Sequence, residues 1–224
     1  MKKILIIVII VLCAGGVVQA QEYRYEIGGG IGASGYLGDV NKSNVTKHLG
    51  FAGGILFRYK PNNYRWALKA NAYIGGISGN SADYDMVFPE NRAYSFNSTL
   101  YDFGAQIEFN FFDYGIGASY LKLKRITPYL TLGLGGTVAS VSGGQTSFAM
   151  NMPVGFGVKY KVKERVNIGL EFTMRKAFGD KLDGLQDLNG IGSSFAKNTD
   201  WTSFTMLTVT YEFGKRCKKC HYVE

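Results

Sequence analysis

The sequence predicts an all-β fold, an eight-stranded antiparallel up-and-down transmembrane β-barrel. Polar and apolar side chains alternate over stretches of about 10 to 14 residues, longer than the roughly 5 to 6 of typical soluble strands. The chain has 30 glycines, 15 tyrosines and 15 phenylalanines against 4 prolines, a composition typical of β-rich proteins. Beyond the first 20 residues no segment approaches the roughly 18 apolar residues of a membrane-spanning helix, so any crossing is expected to use strands.

Residues 1–20 have the organisation of a secretory signal peptide. Two lysines precede the apolar run 4–13, and Val18-Gln19-Ala20 supplies a cleavage site. The mature protein is therefore predicted to consist of a barrel over residues 21–213 and a basic, cysteine-containing periplasmic tail over residues 214–224.

The first four predicted strands place bulky apolar residues on one face and glycine, charged or amide residues on the other. A tight turn at Pro61-Asn62-Asn63 separates the second strand from the third. The apolar rows, in strand order, contain Tyr25, Ile27 and Ile31; Leu49, Phe51, Ile55 and Phe57; Trp66, Leu68, Ala70 and Ile74; and Tyr101, Phe103, Ile107 and Phe109.

The last four strands repeat this alternation. Pro153 interrupts the sixth strand, and because proline cannot donate to a strand ladder it predicts a bulge or a late strand start. The apolar rows contain Leu130, Leu132 and Leu134; Met152, Val154, Phe156 and Val158; Ile168, Leu170, Phe172 and Met174; and Leu207, Val209, Tyr211 and Phe213.

Alternation alone allows two kinds of barrel. A lipocalin-like soluble barrel would place the apolar row inside around a ligand, whereas an outer-membrane barrel would place it outside against lipid. Glycine and charge share the polar row, which suits the narrow lumen of eight strands, so the lipid-facing interpretation is favoured. Aromatic residues at the strand ends predict two girdles, with Tyr59, Trp66 and Phe213 near one rim and Tyr73 and Trp201 near the other.

Charged residues on the polar row are expected to pair inside the lumen. Burial of charges is tolerable only with partners and hydrogen bonds, so paired charges predict a plugged barrel and not a conducting pore. The predicted lumen charges are Arg24, Arg58, Lys69, Lys159 and Arg175 against Glu26, Asp102, Glu108, Glu171 and Glu212.

Connection lengths predict the orientation, because outer-membrane barrels have short periplasmic turns, longer external loops and both termini in the periplasm. The long connections 34–48, 78–95 and 176–200 are therefore assigned to the outside. The periplasmic side is then strongly basic, which fits either lipid phosphate contact or docking of an acidic periplasmic partner. Its basic residues are Lys60, Arg65, Lys122, Lys124, Arg125, Lys161, Lys163, Arg165, Lys215, Arg216, Lys218 and Lys219.

The tail contains the string Cys217-Lys218-Lys219-Cys220-His221, which matches the Cys-x-x-Cys-His haem attachment pattern. Only three residues follow it, so the tail offers no apolar pocket for a haem, and its three local ligands are one short of a closed zinc site. Lysines beside both thiols favour disulfide exchange, so the sequence predicts a disulfide, within the pair or to a partner. No cofactor or metal is predicted.

Two further patterns are of kinds that can indicate catalysis. Gly30-Ile31-Gly32-Ala33-Ser34-Gly35 has the spacing of a dinucleotide fingerprint, but no helix follows it. His48 with Ser43 and Asp39 could form a triad, yet a solvated loop histidine is far commoner. The chain is predicted not to be an enzyme, and no nucleic-acid partner is expected.

Several short motifs occur in an order that resembles one family. They are Tyr36-Leu37-Gly38-Asp39-Val40-Asn41, Arg65-Trp66-Ala67-Leu68, Thr127-Pro128-Tyr129-Leu130, Asp180-Lys181-Leu182-Asp183 and Tyr211-Glu212-Phe213-Gly214, followed by the tail cysteines. Together they resemble the PorG-like outer-membrane barrels of the type IX secretion system of Bacteroidota, over nearly all of the mature chain.

The resemblance implies a small, non-catalytic outer-membrane barrel that anchors or adapts periplasmic components of the secretion machine. Its partners would be outer-membrane lipid and periplasmic secretion-ring proteins or lipoproteins. The residues expected to make the contact are Lys122, Lys124, Arg125, Arg216, Cys217, Lys218, Lys219 and Cys220. The alternative function is an outer-membrane barrel that binds a ligand or surface partner through its external loops.

Overall fold

A computed structural model describes residues 23–37, 49–61, 65–80, 95–115, 123–141, 145–178 and 201–215. These residues form a closed barrel of eight strands in chain order, and each strand is antiparallel to both neighbours. This architecture confirms the predicted fold class. The strands are β1 (Tyr23–Leu37), β2 (Leu49–Tyr59), β3 (Trp66–Asn80), β4 (Ser95–Asn110), β5 (Ile126–Val141), β6 (Gln145–Lys163), β7 (Val166–Ala177) and β8 (Trp201–Lys215).

The barrel is apolar outside, and the half of its lumen nearer the chain termini is polar. Phe51 is 73% exposed and Leu134 is 62% exposed, whereas Arg58 and Glu108 in the lumen are 2% and 0% exposed. A continuous outer apolar belt is unfavourable in water but matches the hydrocarbon of a bilayer. The row assigned to lipid therefore does face outward. Within the described residues, no helix has the length and apolar character to span a membrane.

The prediction of a bulge or a late strand start at Pro153 is wrong. The β5–β6 ladder continues from the Leu132–Val154 pair to the Gly135–Asn151 pair without a change of register, and β6 already begins at Gln145. The strand tolerates the proline because β6 lacks a pair with β5 only at Met152 and Pro153 and is paired on either side of them. Register irregularities occur instead in β2 after Leu49 and near the end of β6.

The loop-side end of the lumen is filled by apolar side chains. Tyr73 belongs to this cluster, so its assignment to an aromatic girdle is wrong; it follows Lys69 and Asn71 on the inward row of β3, is 1% exposed and lies 6.0 Å from the Phe204 ring. The cluster blocks this end of the barrel. Its members are Tyr36, Ala52, Tyr73, Ile77, Leu100, Ala139, Ala149, Ala177, Phe204 and Met206.

Glycines of β1 allow the first and last strands to meet closely at the seam. A Cβ atom at Gly32 would lie 1.8 Å from the Thr205 carbonyl oxygen of β8, and one at Gly28 would lie 2.2 Å from the Val209 carbonyl oxygen. Neither backbone atom can move without disturbing the β1–β8 ladder that closes the barrel. Glycine is thus required here by close backbone approach.

Replacing Gly32 with valine is expected to destabilise the barrel by about 1–3 kcal/mol, because the new side chain forces the seam apart. The free energy of unfolding, measured by urea titration in lipid vesicles, checks this. Gly53→Val is the matched control, since a Cβ atom at Gly53 meets nothing closer than 3.6 Å. Equal losses in the two variants would show that the seam is not the cause.

Candidate functional site

Arg58 is the centre of a buried chain of charges in the half of the lumen nearer the chain termini. Its Nη1 lies 2.6 Å from Glu26 Oε1 and its Nε lies 2.7 Å from Glu108 Oε2. A third carboxylate, that of Glu171, lies 4.0 Å from Nη2. One guanidinium from β2 thus holds together acids from β1, β4 and β7.

Two lysines extend this chain toward the rim at the terminal end. Lys60 Nζ lies 2.8 Å from Glu26 Oε2 and 2.5 Å from Glu212 Oε1, and Lys161 Nζ lies 2.6 Å from Glu212 Oε2. Both lysines are predicted from the sequence to belong to the basic periplasmic side, whereas the structure buries them in the lumen. Their spacing along the chain indicates the inward position. Lys60 follows the inward Arg58 by two residues and Lys161 follows the inward Lys159 by two residues, so each shares its neighbour's strand face.

The remaining basic residues of this half are also paired. Lys69 Nζ lies 2.7 Å from both oxygens of Glu171, whose Oε2 also accepts a hydrogen bond from the Tyr129 hydroxyl at 2.9 Å. Lys159 binds Glu108 Oε1, and its ammonium lies 5.3 Å from the centre of the Tyr129 ring. Alternating signs therefore run without a break from Lys161 to Lys69.

Asp102 and Arg175 form a second polar layer, adjacent to the apolar cluster. Arg175 Nε donates to Asp102 Oδ1 at 2.9 Å, and Thr137 and Asn151 donate to Asp102 Oδ2 at 3.0 and 2.9 Å. The Arg175 guanidinium also lies 4.3 Å from the centre of the Phe204 ring. This pair links the charged half of the lumen to the apolar half.

Arg24 is the one predicted lumen charge that the structure places elsewhere. It is the second residue of β1 and its side chain is exposed, so it lies at the mouth of the barrel. Glu26, two residues further along β1, is bound by Arg58 and Lys60. The other nine predicted residues are buried and ion-paired.

Tyr114 closes the terminal end of the lumen beneath the charges. It belongs to the connection between β4 and β5, is 5% exposed and donates its hydroxyl to Asn167 Oδ1 at 2.8 Å. Burial raises the pKa of Tyr114, which keeps the hydroxyl protonated as a donor. The ammonium groups of Lys159 and Lys161 lie 5.0 and 5.5 Å from its ring centre.

In the part of the chain that the structure describes, paired charges fill the lumen toward the terminal end and apolar side chains fill it toward the other end. Its carboxylates are held by cations, as buried charges require. In the described part of the chain, no group of three or more histidine, cysteine or acidic residues is placed to hold a metal ion. What this barrel offers to a partner is its outer surface and its two ends.

The rim at the terminal end carries exposed cations set among aromatic rings. Lys124 Nζ lies 3.8 Å from the centre of the Phe112 ring, and Arg125 beside it is exposed. Arg165 donates to the hydroxyls of Tyr23 and Tyr211, both at 3.0 Å, and these hydrogen bonds raise its pKa above the ordinary value. Arginine stays charged at any physiological pH, so Arg165 is a permanent cation at this rim.

Several predicted site residues lie outside the described residues. They are Lys122 and the tail residues Arg216, Cys217, Lys218, Lys219 and Cys220, together with the loop residues Asp39, Ser43 and His48 and the signal peptide. The glycine-rich string from Gly30 to Gly35 lies within β1, where its spacing serves a strand and not a phosphate-binding turn.

A family described as Domain of unknown function (DUF6089) matches residues 2–222. No curated protein matches the chain. The crystal structure of Neisserial surface protein A is similar in fold, with a TM-score of 0.51 at 18% identity, covering 84% of this chain and 97% of that one. The attachment invasion locus protein Ail of Yersinia pestis gives a TM-score of 0.49 at 15% identity, covering 86% and 100% of the two chains. The outer membrane protein OprG of Pseudomonas aeruginosa gives 0.45 at 13% identity, covering 88% and 99%.

Proposed function

We propose that this chain, which belongs to the family of unknown function DUF6089, is a non-catalytic outer-membrane barrel that anchors or adapts periplasmic components of a protein secretion machine. The machine suggested by the sequence motifs is the type IX system. The observation that carries the proposal is the filled lumen, because a barrel with no passage and no reaction cleft must act through its surfaces. The outer apolar belt is occupied by lipid, which leaves the two ends for partners.

The terminal end is the better docking surface of the two. Lys124 and Arg125 are exposed there, Lys122 precedes them in the sequence, and the basic tail follows β8 in the sequence. An acidic periplasmic protein or lipoprotein is the complement of such a rim. In this proposal both termini are periplasmic, as in outer-membrane barrels generally.

Crosslinking and affinity purification of a tagged copy from isolated outer membranes tests this function. The full chain is expected to retain periplasmic secretion components, and a copy lacking residues 216–224 is expected to lose them. The truncation leaves β8 complete to Lys215, so equal amounts of heat-modifiable barrel in both membranes provide the folding control. A full-length barrel that purifies alone would contradict the proposal and direct attention to the external loops.

The tail thiols supply a separate prediction. If Cys217 or Cys220 bonds a periplasmic partner, non-reducing electrophoresis of native membranes is expected to show a larger, thiol-sensitive band. Single Cys217→Ser and Cys220→Ser variants identify the bonding thiol by the loss of that band. Wild type that migrates only as a monomer under both conditions would exclude the partner bond.

A further inference from the structure

An apolar groove of about 930 Å³ lies on the outer surface of the barrel, across β2 to β6. Its floor is low because Ala70 and Ala105, which face each other across β3 and β4, project only methyl groups. This volume falls within the roughly 300–1,000 Å³ of small-molecule sites, although the groove is open on one side. Larger side chains form the walls, among them Phe57, Leu68, Ile107, Leu130, Leu132 and Val154.

One end of the groove reaches the rim at the terminal end. Trp66 and Phe109 line it there, with ring centres 4.9 Å apart, and Phe111 continues the row at 5.6 Å from Phe109. Aromatic rings at a strand end mark the level where hydrocarbon gives way to lipid headgroups. The groove therefore extends from the apolar belt up to the headgroup level.

Two cations stand at this end. Arg65 directly precedes Trp66, and its side chain is 50% exposed with Nε 3.4 Å from Asp113 Oδ1. Lys124 is exposed and lies over Phe112, the residue after Phe111. An apolar groove that ends at two exposed cations has the pattern of a phospholipid, with an acyl chain on one side and a phosphate on the other.

We propose that the groove binds one anionic phospholipid of the adjoining leaflet, with an acyl chain over Ala70 and Ala105 and the phosphate against Arg65 and Lys124. The inference rests on the membrane location proposed above. A second copy of this chain fits the groove less well. Two copies in one membrane share an orientation, so their contact would bring the cations of both to the same level, where like charges repel.

Native mass spectrometry of the purified barrel, released from micelles that contain equal amounts of phosphatidylglycerol and phosphatidylethanolamine, tests the proposal. The wild type is expected to retain one phosphatidylglycerol with a preference of roughly tenfold, because both lipids carry a phosphate but the ammonium of phosphatidylethanolamine is repelled by the two cations. No retained lipid, or no preference between the two lipids, would overturn the proposal.

Two sets of variants separate the groove from the charges. Ala70→Leu with Ala105→Leu fills the groove and is expected to abolish retention of either lipid, whereas Ala72→Leu, on the same face of β3 but outside the groove, is expected to keep it. Arg65→Gln with Lys124→Gln is expected to keep lipid but lose the preference for phosphatidylglycerol. Lys163→Gln, which removes an exposed cation at the end of β6, is the charge control.

Other outcomes of the same experiment count against the lipid. Lipid retention that is undiminished in the Ala70→Leu, Ala105→Leu variant would overturn the site. So would an unchanged preference for phosphatidylglycerol in the Arg65→Gln, Lys124→Gln variant. A wild-type dimer that is lost only in the variant with the filled groove would show that the occupant is a second copy. Because no secretion component is present in this measurement, its failure and a failure of the docking proposal are distinguishable, even though Lys124 serves in both.

Discussion

Replacement of Arg58 by methionine is expected to lower the free energy of unfolding of the barrel by about 3–5 kcal/mol. The guanidinium is bound to Glu26 and Glu108 and approaches Glu171, and all of these groups are buried. Removing it leaves carboxylates in the lumen without their central cation, and such a buried, uncompensated charge is costly. Urea titration of the refolded protein in lipid vesicles, followed by the mobility shift of the folded barrel, measures the loss.

Arg65→Met is the matched control, because it removes an arginine whose ion pair with Asp113 is exposed. An exposed pair contributes about 0–1 kcal/mol, so this variant is expected to stay near the wild type. Arg58→Lys keeps a cation but not the two-sided hydrogen bonding, and its stability is expected to lie between the two. An Arg58→Met barrel as stable as Arg65→Met would show that the lumen charges are solvated and not structural.

Replacement of Leu134 by arginine is expected to cost about 2–4 kcal/mol, the range for a cation placed near the midplane on the lipid face of a barrel. Leu134 projects outward from the middle of β5 and is 62% exposed. In a water-soluble barrel the same change would be nearly neutral, since it would place a charge on an already exposed site. The free energy of unfolding in vesicles therefore distinguishes lipid from water around this belt.

Ile126→Arg is the control for depth. Ile126 is the first residue of β5, lies on the same outward row and is 50% exposed, but it stands at the rim. Near the interface an arginine costs only about 0–1 kcal/mol. Equal costs at Ile126 and Leu134 would contradict a bilayer-centred belt.

Period-two alternation predicted the fold class and which residues face the lumen, because strand geometry sends successive side chains to opposite sides. Alternation alone predicts that Arg58 and Glu108 face the lumen, and both are buried there. The preference of aromatic residues for strand ends predicts a girdle position for Tyr73, but its row, shared with Lys69, predicts the lumen, where Tyr73 lies.

Alternation does not say how far along the barrel axis a residue lies. Arg24 and Lys60 occupy inward rows of neighbouring strands, yet Arg24 is exposed at the mouth while Lys60 is buried between Glu26 and Glu212. Partners across the lumen depend on the stagger of all eight strands, which sequence spacing within one strand does not contain. The lipid-sized groove is likewise set by how β2 to β6 lie beside one another.

The charge chain of the lumen has a consequence for how the protein enters a membrane. Its partners come from opposite ends of the sequence, as when Lys60, just after β2, binds Glu212 of β8, 152 residues later. The β1–β2 hairpin alone contains Glu26, Arg58 and Lys60. The other acidic partners of Arg58 and Lys60 belong to β4, β7 and β8. An open sheet in hydrocarbon would present these charges and its unpaired edges to lipid. Insertion and closure must therefore occur as one cooperative event, so stable half-inserted intermediates are not expected.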